Sequence, residues 1–196
     1  ALDDADIPSK RILSSRSFAS ALNNVEIIKQ AIIFHVNRAH QRLSKQRQLC
    51  AVVHVSLYEK VAQAPYKKAQ SSVIGLMYAT DDLMILTKSA LQQIDVLFKE
   101  NFKYVKVAVM FSALHSKSQH INDLWHPVDF IQQRDQLMDT LSSMKQRFGS
   151  DCIQVGYHSN QETWKMRQQN RSPSYTTRCS EILSIDDSHM AVTQIK

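Results

Sequence analysis

Leu49-Cys50-Ala51-Val52-Val53-His54-Val55-Ser56-Leu57 is the stretch on which the fold turns. Ala51, Val53, Val55 and Leu57 alternate with Cys50, Val52, His54 and Ser56, a period of two that gives one side of a strand to a core. Downstream, Pro65 with Lys67 and Lys68 marks a turn, and Ser71 to Ala79, with Val73, Ile74, Leu76, Met77 and Tyr78, reads as the next strand. Thr80-Asp81-Asp82 starts a helix with Leu86, Ala90, Ile94 and Leu97 on its buried face, so capping accounts for the two acids. Tyr104 to Ser112 is a further strand, with Val105, Val107, Val109 and Phe111 on one side and Tyr104, Lys106 and Ala108 on the other.

Upstream, Lys10 to Phe18 follows Pro8 and reads as a first strand. Asn23-Asn24-Val25-Glu26 has the shape of a capping box, and the helix it opens sets Ile28, Ile32, His35, Ala39 and Leu43 on one face. Lys29, Asn37, Arg38 and Arg42 fall on the other side. The order is β-α-β-β-α-β over roughly the first 115 residues, an α+β fold with two helices on one face of a four-stranded sheet. The uncovered face is expected to carry His54, Ser56, Lys106 and Arg16, and simple solvation of an antiparallel sheet would also account for that polarity.

Beyond this unit, the polar stretch His115 to Asn122 leads to Pro127, well placed at the start of a third helix. Phe130, Ile131, Arg134, Leu137, Met138, Leu141 and Met144 form its mostly apolar stripe, and Gly149 ends it. Cys152 to Tyr157 reads as a strand, followed by a basic irregular segment with Trp164, Lys165, Arg167, Arg171 and Arg178. The expected divisions are a first domain over 8–115, a linker over 116–127, a C-terminal region over 128–185 and a tail over 186–196.

The totals narrow the function classes. The chain has 196 residues, 43% of them hydrophobic and 21% charged, and no apolar run nears the ~20 residues of a membrane helix. Ala1 to Asp6 is acidic and lacks the order of a signal peptide, so the chain is expected to begin within a longer protein. Three separated cysteines, Cys50, Cys152 and Cys179, point to a reducing compartment and exclude zinc held by paired cysteines. Three glycines build no phosphate loop and no dinucleotide fingerprint. His115, His120 and His126 lack acidic or thiol partners at ligand spacing, and no set of carboxylates converges as two-metal phosphoryl transfer requires. The chain by itself is expected to be no catalyst. Its net charge of +6 is compatible with a polyanionic partner without establishing one.

Motifs add a family. Ile12-Leu13-Ser14-Ser15-Arg16-Ser17-Phe18, then Gln136-Leu137-Met138, then Trp164-Lys165-Met166-Arg167, then Ser172-Pro173-Ser174-Tyr175-Thr176-Thr177-Arg178 occur in that order. Together they resemble the little-finger domain and C-terminal extension of UmuC-type polymerases of the Y family, from about Pro8 to Ile185. The Ser-Pro-x-Tyr-Thr-Thr-Arg string is the specific part.

The resemblance implies a non-catalytic, DNA-holding piece of an error-prone translesion polymerase of the bacterial SOS response. Palm, fingers and thumb, with their carboxylates and divalent metal (Mg), would lie upstream, and the location would be the bacterial cytoplasm. Damaged primer-template DNA, the sliding clamp, the cleaved UmuD dimer and the RecA filament are the implied partners. Lys10, Arg11, Arg16, Lys67, Lys68 and Lys106 are the expected phosphate contacts, salt-dependent and indifferent to sequence. His120-Ile121-Asn122-Asp123-Leu124-Trp125 occupies the place of the family's clamp-binding peptide, with His120 where Gln is usual. His120, Ile121, Asp123, Leu124 and Trp125 would dock there, Leu124 and Trp125 as the apolar anchor; the alternative is that Trp125 folds back on the third helix. A protein-interaction module of the same fold that binds no DNA is the rival reading.

Overall fold

The computed structural model describes residues 10–60, 68–119 and 128–149, with Cys152, Ile153, Val155, Trp164 and Ser174. Strand β1 (Ile12–Leu22), helix α1 (Val25–Lys45), strands β2 (Gln48–Glu59) and β3 (Lys68–Thr80), helix α2 (Leu83–Leu97) and strand β4 (Tyr104–Ser116) follow in the expected order. A 3-10 turn (Lys117–Gln119) and helix α3 (Val128–Phe148) come next. The strands form one antiparallel sheet in the order β1-β4-β2-β3. Each of α1 and α2 thus carries the chain past one intervening strand, a crossing no tight hairpin makes.

The inner-face residues expected of α1 and α2 are all buried, and they share one core with Val53, Val55, Leu57, Val107, Val109 and Phe111 of the two central strands. Burying each large aliphatic there contributes roughly 1.5–3 kcal/mol. Asn24 caps α1, its Oδ1 accepting from the amides of Glu26 (2.9 Å) and Ile27 (3.4 Å). Glu26 therefore stands two residues past the cap, not three, and pairs with Lys29 instead of closing a capping box. Asp82 caps α2 through the amides of Met84 (2.8 Å) and Ile85 (3.4 Å).

Three expectations are corrected. Tyr104 is fully buried rather than on the side of Lys106, because the ladders on both flanks of β4 shift register there. Its hydroxyl donates to the Leu97 carbonyl (3.2 Å) and accepts from the Lys99 amide (2.9 Å), tying off the end of α2. On α3, Met138 and Leu141 of the apolar stripe turn to the core while Leu137 and Met144 are exposed, so only part of the stripe is buried. Cys152, Ile153 and Val155, from the segment expected to form a strand, lie in none. Gly149 does end α3, at a φ of +96°, the left-handed conformation that glycine adopts without a Cβ penalty.

The chain divides into two compact units, Ala1–Met166 and Arg167–Lys196, so α3 and Trp164 belong with the sheet. Arg134 of α3 pairs with Asp82, and Met138 Sδ accepts the Leu83 amide at 3.4 Å. Trp164 is buried against Phe18, Phe34 and His35, and its carbonyl accepts the Ala19 amide at 3.2 Å. That bond, with Arg42 Nη1 donating to the Leu13 carbonyl (3.0 Å), satisfies two groups of β1, an edge strand.

Candidate nucleic-acid interface

The sheet register defines the face away from the core. Leu13, Met110, His54 and Val73 line up across β1, β4, β2 and β3. The next row is Ser15, Ala108, Ser56 and Ser71, and the one after it Ser17, Lys106, Tyr58 and Ala69. The middle row holds only serine and alanine, so no long side chain stands off the backbone there. A sugar-phosphate chain can approach such a row closely and meet three hydroxyls that donate or accept.

Charge flanks that row on both sides. Lys106 Nζ lies 5.0 Å from the centroid of the Tyr58 ring, which orients the ammonium without neutralising it. Arg11 is close enough to His54 that, after partial burial, it is the second cause lowering the imidazole's pKa. His54 Nε2 is 2.6 Å from Ser112 Oγ. A neutral, hydrogen-bonded imidazole adds polarity but no charge, so the charge beside this row comes from cations such as Arg11 and Lys106.

The residues anticipated as phosphate contacts do not all converge. Lys10 and Arg11 are exposed at the start of β1, and Lys106 is on the open face. Arg16 is not: it pairs with Val107, whose side chain is in the core, so it projects to the helix side of the β1 edge. The strand alternation that buries Ile12, Ser14 and Phe18 requires this placement. Lys68 opposes Glu59 in the β2–β3 ladder, while Lys67 lies outside the described residues. So does the whole of His120 to Trp125, which follows the 3-10 turn. Tyr58 was missed, although it shares the parity of His54 and Ser56 in the same strand and was legible on that ground.

Other reactive groups are quiet. Burial pushes the Cys50 thiol up to about 11, far from nucleophilic use. Among the described residues no group of three or more His, Cys, Asp or Glu is arranged to hold a metal, and no helix is long and apolar enough to cross a membrane.

Comparison with known proteins gives these features a lineage. Residues 9–124 match the impB/mucB/samB family C-terminal domain, and residues 135–185 match a domain of unknown function, DUF4113. The chain is 26% identical to Protein SamB of Salmonella typhimurium over 92% of its own length and 43% of that relative's. It is 25% identical to Protein UmuC of the same species, over 91% of this chain and 43% of that one, and 25% identical to Protein MucB of Escherichia coli, over 90% and 41%. It therefore spans under half the length of the relatives it matches. Among solved structures, an insertion ternary complex of Dbh DNA polymerase aligns with a TM-score of 0.42 at 9% identity, over 54% of this chain and 29% of that one. The little finger domain of PolIV, in a complex with the beta-clamp processivity factor, aligns at 0.39 with 13% identity, over 59% and 99%. The match over residues 9–124 covers more than half of the chain, which belongs to the impB/mucB/samB family and carries its C-terminal domain.

Proposed function

We propose that this chain is the DNA-holding, partner-docking part of an error-prone translesion polymerase of the UmuC type, acting in SOS damage tolerance in the bacterial cytoplasm. The observation that carries the reading is a family domain whose open sheet face has a flush row of small and hydroxyl side chains between Arg11 and Lys106. A polymerase crossing arbitrary damage needs a grip on the duplex that ignores sequence. Cations and hydroxyls on phosphates give that, at the cost of salt sensitivity. Lys10, Lys67 and Lys68 would extend the grip from the strand ends. Nucleotidyl transfer and its Mg belong to a catalytic core outside this chain. His120 to Trp125 would dock on the sliding clamp, and the cleaved UmuD dimer and RecA filament would complete the assembly.

Fluorescence anisotropy with labelled primer-template DNA tests the grip. Binding is expected to weaken steeply with salt, and Arg11→Ala with Lys106→Ala to weaken every duplex sequence alike. No binding at low salt, or binding that ignores both substitutions, defeats the reading. Leu13, Val73 and Met77 are exposed on strands of this sheet, and that apolar surface favours the second reading, a protein-docking module without DNA. The same titration separates the two.

A further inference from the structure

The positive charge of this chain is not spread evenly, and most of it is not on the open sheet face. Residues 10–48 hold eight Lys and Arg against one carboxylate, Glu26, a net +7 in a chain whose total is +6. Glu26 stands in the first turn of α1, paired with Lys29 at 3.4 Å. Toward the other end of that helix Arg38, Arg42 and Lys45 recur at i, i+4 and i+7, all exposed on one face. Arg42 reaches across to the Leu13 carbonyl, which fixes this helix face beside the β1 edge. Arg16 projects from β1 to the same side, and Arg38 and Arg16 are both near enough to His35 to act on its titration. Among the described residues, none of Arg11, Arg16, Arg38, Arg42 and Lys45 is in an ion pair.

We propose that this β1–α1 flank is a second nucleic-acid site, in which Arg16, Arg38, Arg42 and Lys45 hold a phosphodiester backbone that passes over the β1 edge from the open face. The inference rests on the DNA-binding reading above and extends it to a surface that the reading leaves unused. Like charges gathered within a Debye length repel one another, and a bound polyanion removes that cost. Three of the four cations are arginines, whose planar fork pairs with phosphate oxygens two at a time. Arg11 joins the two surfaces, being beside His54 on the open face and at the start of the strand that carries Arg16. No carboxylate interrupts β1 from Ile12 to Leu22, so a phosphate chain following that edge meets no repulsion from the strand.

The test is a salt titration of the full chain against a labelled duplex and a labelled single strand. Arg38→Gln with Lys45→Gln removes two flank cations whose side chains hold no described structural bond. Lys88→Gln with Lys99→Gln removes the same charge from exposed positions on and after α2. Losing two phosphate contacts should flatten the slope of log affinity against log salt by about 1.8 on duplex, or about 1.4 on a single strand. The substrate whose slope changes identifies which backbone crosses the flank. An unchanged slope on both, in a variant that melts like its parent, overturns the proposal, as does an equal change in the Lys88/Lys99 variant. Displacement of the labelled DNA by polyglutamate as readily as by an oligonucleotide of equal charge would assign the flank to an acidic protein instead. If the parent chain binds neither DNA, the broader reading fails as well. If it binds and only Arg11→Ala with Lys106→Ala weakens it, the flank alone is refuted.

Discussion

Arg134 Nε lies 2.6 Å from Asp82 Oδ2, a contact that joins α3 to the cap of α2 across 52 residues of sequence. Asp82 spends Oδ1 on the helix cap and Oδ2 on the guanidinium, and its side chain is almost fully buried. Beside it, Lys117 Nζ sits 3.0 Å from Asp81 and 3.3 Å from Asp135. Burial alone would lower the pKa of that ammonium; Asp81 and Asp135 outweigh it and raise it.

Removing the guanidinium strands a buried carboxylate. Arg134→Ala is expected to destabilise the protein by about 1–3 kcal/mol, discounted from a fully buried pair because the arginine is partly exposed. Arg134→Lys should recover only part, because a point charge cannot reproduce the fork. Urea unfolding of the three proteins checks this, and an alanine variant within experimental error of the parent would refute the role of the pair.

Trp164 is a core residue on the same footing as Ile28 or Phe111. It makes edge contacts with Phe34 and Phe18, at ring centroid distances of 5.2 Å and 6.4 Å. Trp164→Ala should cost about 3–5 kcal/mol, and Trp164→Phe much less. Shortening the chain before Trp164 should destabilise the sheet by a comparable amount. A thermal melt of the alanine variant matching the parent would show that the aromatic cage carries no stability.

What was legible in the sequence followed from short-range periodicity. Alternation from Val53 to Leu57 and the 3.6-residue spacing of Ile28, Ile32, His35, Ala39 and Leu43 depend on neighbours along the chain, and both hold. The alternation fails at Cys50, which is fully buried while Ala51 is half-buried, where the ladder with β3 shifts register. Tyr104 was misplaced because a register shift breaks the parity on which strand faces are read. Arg16, expected on the open face, shares the parity of Ile12 and Ser14 and so lies on the helix side. The apolar stripe of α3 packs only in part: Arg134, Met138 and Leu141 meet the rest of the fold while Leu137 and Met144 are exposed, because Arg134 and Met138 are drawn to Asp82 and Leu83, partners more than 50 residues away. Neither partner leaves a local pattern. The open-face row of serines and alanine is likewise a product of three strand pairings and exists in no single stretch.

Arg47 occupies the residue after the α1 C-cap with a φ of 49°, a left-handed conformation that costs an L-residue about 1 kcal/mol. Its amide donates to the Ser44 carbonyl at 3.0 Å, the bond that closes the helix end. Arg47→Gly should relieve the Cβ clash and stabilise the protein by about 0.5–1 kcal/mol, a rise in Tm of about 1–4 °C. Arg47→Val, β-branched at the same φ, should destabilise it. Calorimetry showing the reverse order would mean that the arginine side chain contributes more than its backbone costs.

His35 makes stability depend on pH. Its side chain is buried, Nδ1 is 2.8 Å from Ser14 Oγ, and its Nε2 has no hydrogen-bond partner. Burial, reinforced by the Arg38 and Arg16 charges, lowers its pKa from 6.5 to about 4. The unfolded chain takes up a proton on this imidazole near pH 6.5, whereas the folded chain does so only near 4. Between those values the unfolded state binds more protons, so stability is full above about pH 6.5 and falls as pH drops, by a total of about 3 kcal/mol from this group. His40, also lowered chiefly by burial, adds to the fall in the same direction. His35→Gln removes the group that titrates, so its stability should decline less between pH 6.5 and 4 whatever its level at neutral pH. Trp164→Ala should flatten the profile too, because opening the cage lets water reach the ring and returns the pKa toward its ordinary value. Chemical denaturation at half-unit steps of pH distinguishes these outcomes. If the parent and His35→Gln lose stability in parallel over that range, the imidazole is not the group that acid attacks.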